Sequence, residues 1–224
     1  DMENLQPIAD LEGQMATFSP DGQFVLTADR EAAMWWNHQG KVVASFEGHL
    51  RAINSVQVSP NGRSVLTASS DGTSRVWDTG RVASPAVLEV GGAVYSAIVS
   101  PDGKFIGTAS SDGSLILWDE TTLSEVRRFA VGEGGFSCLA FSPDGKVVTA
   151  GDDWGVVRVW NTDSGLELPS LHDEEADVPD DTSVCAIVFS RDGSLIATAS
   201  GDSRTRIWDA HTGRLARVLE GPQV

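Results

Sequence analysis

The chain has 224 residues, of which 32 are aspartate or glutamate and 16 are lysine or arginine, so its formal net charge is −16. Nucleic-acid phosphates and anionic membrane surfaces attract basic patches, and this acidic balance therefore argues against both as direct partners. A hydrophobic content of 41% with seven tryptophans is typical of a packed globular protein. The charge serves solubility or attracts a basic protein partner.

Tryptophans recur along the chain at a nearly constant spacing. They are Trp36, Trp77, Trp118, Trp160 and Trp208, at intervals of 41, 41, 42 and 48 residues. Each follows a turn of the Ser-Pro-Asp-Gly kind, and these turns occupy residues 19–22, 59–62, 100–103, 142–145 and 190–193. A period near forty with two fixed landmarks indicates an array of equivalent units.

The second unit shows the pattern most clearly, with four short strands separated by turns. The predicted strands are Ile53–Val58, Ser64–Ala68, Thr73–Trp77 and Val87–Val90. Proline and glycine in the turn at 59–62 favour a tight reversal, and Asp71-Gly72 is a two-residue hairpin signal. Four strands joined by hairpins predict one antiparallel sheet for each unit.

Several predicted strands are apolar throughout, such as Leu115–Trp118 and Ala186–Phe189. Strands of this kind are covered on both faces. Because a single sheet of four strands cannot cover itself, neighbouring sheets are expected to stack face to face, as radial repetition allows. No segment shows sustained helical periodicity, so the fold class is predicted to be all-β.

The units resemble WD40 repeats. The signature dipeptide stands at Trp77-Asp78, Trp118-Asp119 and Trp208-Asp209, with variants at Trp36-Asn37 and Trp160-Asn161, and Gly48-His49 matches the opening of a repeat. The turn style is similar to WD40 arrays of bacteria. The resemblance implies a β-propeller domain over residues 1–224 with five four-stranded blades, at about 14–47, 48–90, 91–131, 132–171 and 182–221.

The resemblance also implies a structural tetrad of histidine, serine or threonine, aspartate and tryptophan joined by side-chain hydrogen bonds. His49, Ser69, Asp71 and Trp77 fit it. Two further repeats match three members each, namely Ser110, Asp112 and Trp118, and Ser200, Asp202 and Trp208. A catalytic triad is the competing interpretation, but the serine lies within a strand and lacks the strained turn that exposes a nucleophile.

The sequence pattern at the two ends of the chain predicts that the array is part of a larger propeller. Residues 7–13 resemble 42–48 and 215–221, and all three segments are predicted outer strands. Because the last unit has its own outer strand, residues 5–13 are assigned to a preceding blade of a larger, seven-blade propeller. A complete five-blade ring and a self-assembling fragment are the alternatives. Open blade faces would be covered by missing blades or by another copy.

Two departures from the repeat mark candidate partner contacts on the upper rim. One is the acidic run at 173–181, interpreted either as a solvated loop or as a contact for a basic protein or peptide. The other is Trp154 at a hairpin tip, either an interface anchor or a packing residue. The full candidate set is Arg51, Tyr95, Asp153, Trp154, Asp173, Glu174, Glu175 and Arg204.

The two cysteines, Cys138 and Cys185, are interpreted as small buried hydrophobic residues on the first strands of consecutive units. There is no CxxC pair or other zinc spacing, and neither a metal nor a cofactor is expected. The sequence shows no signal-peptide pattern and no apolar run long enough to cross a membrane, which favours a cytoplasmic setting.

Three functions are weighed against these features. The favoured one is a non-catalytic protein–protein interaction scaffold, the sensor or docking module of a larger signalling or regulatory protein. A self-assembling structural fragment is the alternative. A propeller enzyme is disfavoured, because its catalytic groups would have to converge, whereas His38, His49, His172 and His211 occupy unrelated points of the repeat.

Overall fold

The computed structural model describes residues 11, 13–80, 84–130, 134–173 and 183–220. Within these residues, five antiparallel sheets of four strands each follow one another along the chain, and no helix is present. The predicted all-β fold of four-stranded blades is confirmed. Most of the outer strand predicted at 5–13 lies outside the described residues, as do Glu174 and Glu175.

The strands of each sheet are hydrogen-bonded in chain order. The first sheet contains β1 (Met15–Phe18), β2 (Phe24–Asp29), β3 (Ala32–Asn37) and β4 (Val42–Glu47). The second contains β5 (Ile53–Val58), β6 (Ser64–Ser69), β7 (Thr73–Asp78) and β8 (Ala86–Glu89). The third contains β9 (Val94–Val99), β10 (Phe105–Ser110), β11 (Ser114–Asp119) and β12 (Glu125–Ala130). The fourth contains β13 (Phe136–Phe141), β14 (Val147–Asp152), β15 (Val157–Asn161) and β16 (Glu167–Leu171). The fifth contains β17 (Val184–Phe189), β18 (Leu195–Ser200), β19 (Arg204–Asp209) and β20 (Leu215–Glu220).

The turn between the first two strands has the same hydrogen bonds in every sheet. In the first sheet, the Ser19 hydroxyl donates to Asp21 Oδ1 over 2.6 Å and accepts the Phe24 N–H at 2.9 Å. Gly22 follows with φ 69°, a conformation that glycine adopts without steric cost. The serine–acid or serine–amide bond recurs as Ser59–Asn61, Ser100–Asp102, Ser142–Asp144 and Ser190–Asp192. Side chains two residues apart therefore close each turn locally.

The hydrophobic core consists of separate clusters that lie between consecutive sheets. We call the contact region between two consecutive sheets a seam. Four buried clusters join the first sheet to the second, the second to the third, the third to the fourth and the fourth to the fifth. The repeat tryptophan of each following sheet belongs to its cluster, in the order Trp77, Trp118, Trp160 and Trp208. Each tryptophan thus packs onto the preceding sheet, and truncating such a side chain typically costs about 3–5 kcal/mol.

One seam depends on a glycine because the backbones approach closely there. A Cβ atom added at Gly151 of β14 would lie 2.5 Å from Val184 Cβ and 2.9 Å from Cys138 Sγ. These distances are too short for real side chains, so the inner strand of the fifth sheet reaches the fourth sheet only because residue 151 has no side chain.

The outward faces of the first and fifth sheets carry exposed apolar residues. Phe18 is 70% exposed, whereas Val58 and Val99, at the same position of the second and third sheets, are 6% and 5% exposed. Val188 of the fifth sheet is 60% exposed. Among the described residues, no buried cluster joins the fifth sheet to the first, so these two faces keep apolar surface that the inner sheets bury.

Candidate functional site at the upper face

The first strands of all five sheets meet around one cavity of about 580 Å³. It is lined by Gln14, Met15, Ile53, Asn54, Tyr95, Ser137, Asp153, Ser183 and Cys185. These residues lie at one end of the strands. At this end the chain enters each sheet, and the hairpins between second and third strands are found there as well. We call this end of the molecule the upper face, and the opposite end the lower face. The five sheets therefore surround a central cavity that reaches the upper face.

The two cysteines differ in environment. Cys138 is buried, and burial raises the pKa of its thiol to about 12. Cys185 is exposed and lines the central cavity, so the prediction that both are buried is wrong for Cys185. The register of β17 shifts between Val184 and Ala186, and Val184 rather than Cys185 takes the buried position.

A hydrogen-bonded chain of side chains anchors the upper edge of the second sheet. His49 Nδ1 lies 2.9 Å from Asp71 Oδ2, and His49 Nε2 lies 2.7 Å from Thr67 Oγ1. Trp77 Nε1 donates to the same Thr67 oxygen over 3.0 Å. The hydroxyl between histidine and tryptophan therefore belongs to Thr67, not to Ser69 as the spacing predicted.

Ser69 has a different, local role. Its hydroxyl donates to the Arg51 carbonyl over 3.0 Å and accepts the Asp71 N–H at 3.1 Å. Side chains two residues apart on a strand point to the same face, so Thr67 and Ser69 are both candidates by direction. Trp77 is paired with Val65, which lies two residues before Thr67 and four residues before Ser69. Thr67 is therefore the hydroxyl that lies closer to the indole.

The same threonine position recurs in three other sheets. The indole N–H groups of the repeat tryptophans donate to Thr27, Thr108 and Thr198 over 2.8, 3.0 and 2.9 Å. The serines predicted as tetrad members, Ser110 and Ser200, are therefore not the partners of Trp118 and Trp208. In the fourth sheet the equivalent position is Ala150, which offers no hydroxyl.

Burial and hydrogen bonding set the charge states of His49 and Asp71. Burial of His49 lowers its pKa, against the opposing influence of Asp71, so the imidazole is neutral at neutral pH. Burial of Asp71 favours its neutral form, but hydrogen bonds from Leu50, Thr73 and His49 together lower its pKa. His49 and Thr67 are 4% and 0% exposed, so the chain of hydrogen bonds is a structural network out of reach of substrates.

The fifth sheet anchors its upper edge with an arginine instead of a histidine. Arg206, 6% exposed, donates from Nη2 to Asp202 Oδ2 over 2.7 Å and from Nε to Asp173 Oδ2 over 3.0 Å. The bond to Asp202 is the main reason that the pKa of Arg206 is raised. Asp173 is paired with a buried cation of its own chain, and its contact with a partner stays a prediction.

The third sheet closes the hairpin between its second and third strands with hydrogen bonds between residues two positions apart. The Ser110 hydroxyl donates to Asp112 Oδ1 over 2.6 Å, and the Ser114 N–H donates to the same oxygen over 3.0 Å. Asp112 therefore caps the hairpin in a sheet that has no histidine above it. The second, third, fourth and fifth sheets thus all use aspartate to hold the upper edge, but the partners of the aspartate differ.

Trp154 stands out on the upper face because it is held in place and yet 64% exposed. Asp152 Oδ1 closes its hairpin by accepting the N–H groups of Trp154 and Val156 over 3.0 and 2.9 Å. A Cβ atom added at Gly134 would lie 2.6 Å from Trp154 Nε1, so the indole edge rests against bare backbone. Asp153 Oδ2 fixes the neighbouring loop by accepting the Gly135 N–H at 2.8 Å.

Other upper-face residues extend this surface. Tyr95 is 42% exposed at the cavity, and Arg51 is exposed on the loop that enters the second sheet. Arg204 is half-buried, and its N–H donates to Asp202 Oδ1 over 3.0 Å. Leu50, 80% exposed, was missed by the sequence analysis, although its N–H is fixed by Asp71 Oδ2 at 2.9 Å. The sequence did offer a signal for Leu50, since it is an apolar residue in a short loop beside His49.

The described residues contain no group of three or more histidine, cysteine, aspartate or glutamate side chains arranged to hold a metal ion. They also contain no helix of the length and hydropathy needed to cross a membrane.

The stacked four-stranded sheets with their tryptophan–threonine bonds define a β-propeller type of protein. Four segments, residues 40–78, 87–119, 124–161 and 176–209, match the family model described as WD domain, G-beta repeat. These matches cover more than half of the chain, and the chain belongs to the WD40 family.

Named relatives share this array as part of much longer chains. The chain is 29% identical over 202 residues to apoptotic protease-activating factor 1 of Mus musculus, covering 89% of this chain and 15% of the relative. It is 40% identical over 176 residues to periodic tryptophan protein 2 of Saccharomyces cerevisiae, covering 77% and 18%. It is 26% identical over 190 residues to transcription initiation factor TFIID subunit 5 of Caenorhabditis elegans, covering 84% and 28%. The chain spans less than a third of each of these relatives.

Replacing Thr67 with valine should destabilise the chain more than either of two control changes. Thr67→Val keeps the side-chain volume but leaves His49 Nε2 and Trp77 Nε1 buried without their partner, at about 1–3 kcal/mol for each group. Thr198→Val leaves one such group, and Ser69→Ala removes two hydrogen bonds to backbone groups, each worth about 1 kcal/mol. Urea unfolding monitored by tryptophan fluorescence measures the three values. A larger loss for Ser69→Ala than for Thr67→Val would contradict the assignment.

The buried, neutral His49 predicts a pH dependence of stability. Its pKa is lowered in the folded state, so below pH 6.5 the unfolded chain binds more protons than the folded one. The contribution of His49 is complete above pH 6.5 and is lost as the pH falls through that value towards the lower folded pKa. Melting temperatures between pH 7.5 and 5 should therefore fall more steeply for the wild type and an exposed-site control, His211→Gln, than for His49→Gln. Equal slopes for all three proteins would refute it.

Proposed function

We propose that this WD40 array is a non-catalytic protein–protein interaction module that docks a protein or peptide partner on its upper face. The observation that carries the proposal is Trp154, an indole held by its hairpin and by Gly134 while 64% of its surface stays in solvent. Exposing a large aromatic side chain is unfavourable, and tryptophan is enriched among the residues that dominate binding energy. A rigid anchor also loses little conformational entropy on binding.

Other exposed residues of the upper face extend the proposed contact. Tyr95 and Asp153 line the mouth of the same central cavity, and Leu50 and Arg51 stand on the loop of the second sheet. Their loops are tied to the sheets through Asp71 and Asp153, so the surface is preorganised. Leu50 and Tyr95 supply further apolar contact, and Asp153 supplies negative charge beside the indole.

The charge of the chain supports a basic partner. With a net charge of −16, the chain attracts a basic protein or peptide at long range and repels nucleic acid and anionic membranes. Asp153 is exposed next to Trp154, so a lysine or arginine beside an apolar residue would meet both groups. The acidic run at 174–181, which lies outside the described residues, adds to this attraction in the proposal.

The proposed setting is a larger regulatory or signalling protein in which this array is the docking or sensor module. The relatives bear the names of a protease-activating factor and of a subunit of a transcription initiation factor, and both names describe proteins that act through other proteins. Catalysis has no part in the proposal, because the Thr67, His49 and Asp71 network is committed to holding the fold. A cytoplasmic setting stays a prediction.

Self-association is a second candidate function, favoured by the exposed apolar faces of the outermost sheets. Phe18 and Val188 are 70% and 60% exposed at positions that face a neighbouring sheet elsewhere in the array. A second copy or further blades would cover these faces. Light scattering distinguishes the two candidates, since a partner-binding monomer has the mass of one chain, 23.8 kDa, and a self-assembling one does not.

Trp154→Ala should abolish partner binding without loss of stability. Truncating a central aromatic anchor typically weakens binding by about 2 kcal/mol or more, which is at least about 30-fold. The immobilised chain first captures binding proteins from an extract of its own source, and a recombinant candidate partner is then titrated by calorimetry. A melting curve for each variant separates lost binding from lost folding.

Leu166→Ala is the matched control, because Leu166 is also 64% exposed but lies on a lower-face turn. The proposal expects the Leu166 variant to bind as the wild type does and the Trp154 variant to fail. Equal binding by both variants would move the docking surface away from Trp154. Loss of binding only in the Leu166 variant would place it on the lower face.

A further inference from the structure

A second cavity lies at the lower face, in the seam between the fourth and fifth sheets. Its volume is about 350 Å³, within the range of about 300–1,000 Å³ that is typical of ligand pockets. Its walls are largely apolar, with Leu168 and Leu171 from β16, Phe189 from β17 and Ile196 from β18. The upper-face surface described above contributes none of these residues, so this cleft is a separate site.

The cleft is open because of one residue in the turn before β20. Gly213, with φ 70°, donates its N–H to the Asp209 carbonyl over 2.9 Å. The equivalent turn of the third sheet has the same bond from Leu123 to Asp119 at 2.8 Å, and Leu123 has φ 56°. Leu123 packs against the cluster between the second and third sheets. Gly213 has no side chain to place in the corresponding seam.

The seam between the third and fourth sheets is filled in another way. Gly165 occupies the equivalent turn position there, with φ 73°. Arg127 of β12 lies against it, since a Cβ atom added at Gly165 would be 2.7 Å from Arg127 Nη1. The Arg127 guanidinium also donates to the Asp163 carbonyl. The same space is thus filled by a leucine in one seam and by an arginine in the next, whereas the fourth–fifth seam keeps it open.

The entrance of the cleft is acidic. Asp144 and Asp192 line it, together with His211. The Ser190 hydroxyl and further hydrogen bonds lower the pKa of Asp192 to about 2. The hydrogen bond from the Ser142 hydroxyl also lowers the pKa of Asp144 below its ordinary value. Both carboxylates are therefore ionised at neutral pH. Lys146 Nζ lies 4.0 Å from Asp144 Oδ2, whereas the described part of the chain places no ion-pair partner at Asp192.

We propose that this cleft receives an apolar side chain of a partner peptide, of the size of phenylalanine or leucine, flanked by lysine or arginine. Apolar walls in a concave seam favour a side chain that displaces water from them. The carboxylates at the rim favour a cation next to that side chain. The cleft is a second docking surface, independent of the upper face, and it allows the array to hold two partners on opposite faces.

The test uses the full 224-residue chain with isotope-labelled leucine, isoleucine and valine methyl groups, followed by NMR. The probe is the peptide acetyl-Lys-Phe-Lys-amide. The proposal expects saturable shifts of the Leu168, Leu171 and Ile196 methyl signals. Two control peptides, acetyl-Glu-Phe-Glu-amide and acetyl-Lys-Ser-Lys-amide, should bind at least about tenfold more weakly, because one loses the charge match and the other the apolar side chain. Absence of shifts at these methyl groups, or shifts confined to the upper face, would overturn the proposal.

Gly213→Leu closes the cleft by repeating what Leu123 does in the third sheet. A Cβ atom at residue 213 would meet Leu171 Cδ2 at 3.4 Å, which is ordinary contact. The φ of 70° is unfavourable for a non-glycine residue, but Leu123 adopts the same left-handed conformation in the third sheet. Binding of the probe should fall at least about tenfold. Unchanged binding by a folded Gly213→Leu protein would refute the site. Should that protein fail to fold, Asp192→Asn, which keeps the Oδ1 acceptor of its turn, should weaken binding by about twofold to fivefold and reduce its salt dependence. Wild-type affinity and salt dependence in that variant would refute the acidic entrance.

Discussion

The structure depends on the stacking of sheets that cannot bury their own faces. Each of the four cores is shared by two sheets, and the repeat tryptophan of the later sheet fills the seam. A buried indole N–H needs an acceptor, which Thr67, Thr108 and Thr198 supply from the second strand of the same sheet. This bond fixes the ring relative to its strand. In four of the five sheets, the periodicity near forty residues is therefore the spacing of a packing element together with the acceptor that orients it, while the fourth sheet has Ala150 at the acceptor position.

Because the seams hold the sheets together, the residues at the upper edge can differ from one sheet to the next. The second sheet ties its entering loop to its hairpin through neutral His49 and ionised Asp71, and the fifth uses Arg206 between two carboxylates. The fourth uses Asp153 and Gly135, and it places Trp154 where the second, third and fifth sheets have their aspartate. Each solution presents a different outer surface. The interaction surface is thus made from the positions at which the repeats depart from one another.

Much of the fold was predictable because its signals are local. Turn chemistry, strand patterning and the tryptophan period act within one unit, and the predicted strands of the second sheet agree with the structure to within a residue at most ends. The errors concern relations between strands. Choosing Ser69 over Thr67 required the pairing register, and the role of Arg206 required the reach of a side chain across two loops. The exposure of Cys185 depends on a register shift between paired strands, and the cleft beside Gly213 depends on the neighbouring sheet, which no single repeat encodes.

The central claim is that every core belongs to two sheets, and native-state hydrogen exchange with Ile116→Val tests it most directly. Ile116 lies in the third sheet, fully buried in the cluster shared with the second, and losing one methylene there costs about 0.5–1.5 kcal/mol. The account predicts faster exchange in β6 and β7 of the second sheet as well as in β10 and β11 of the third. Faster exchange confined to the third sheet would contradict it, because each sheet would then hold a core of its own.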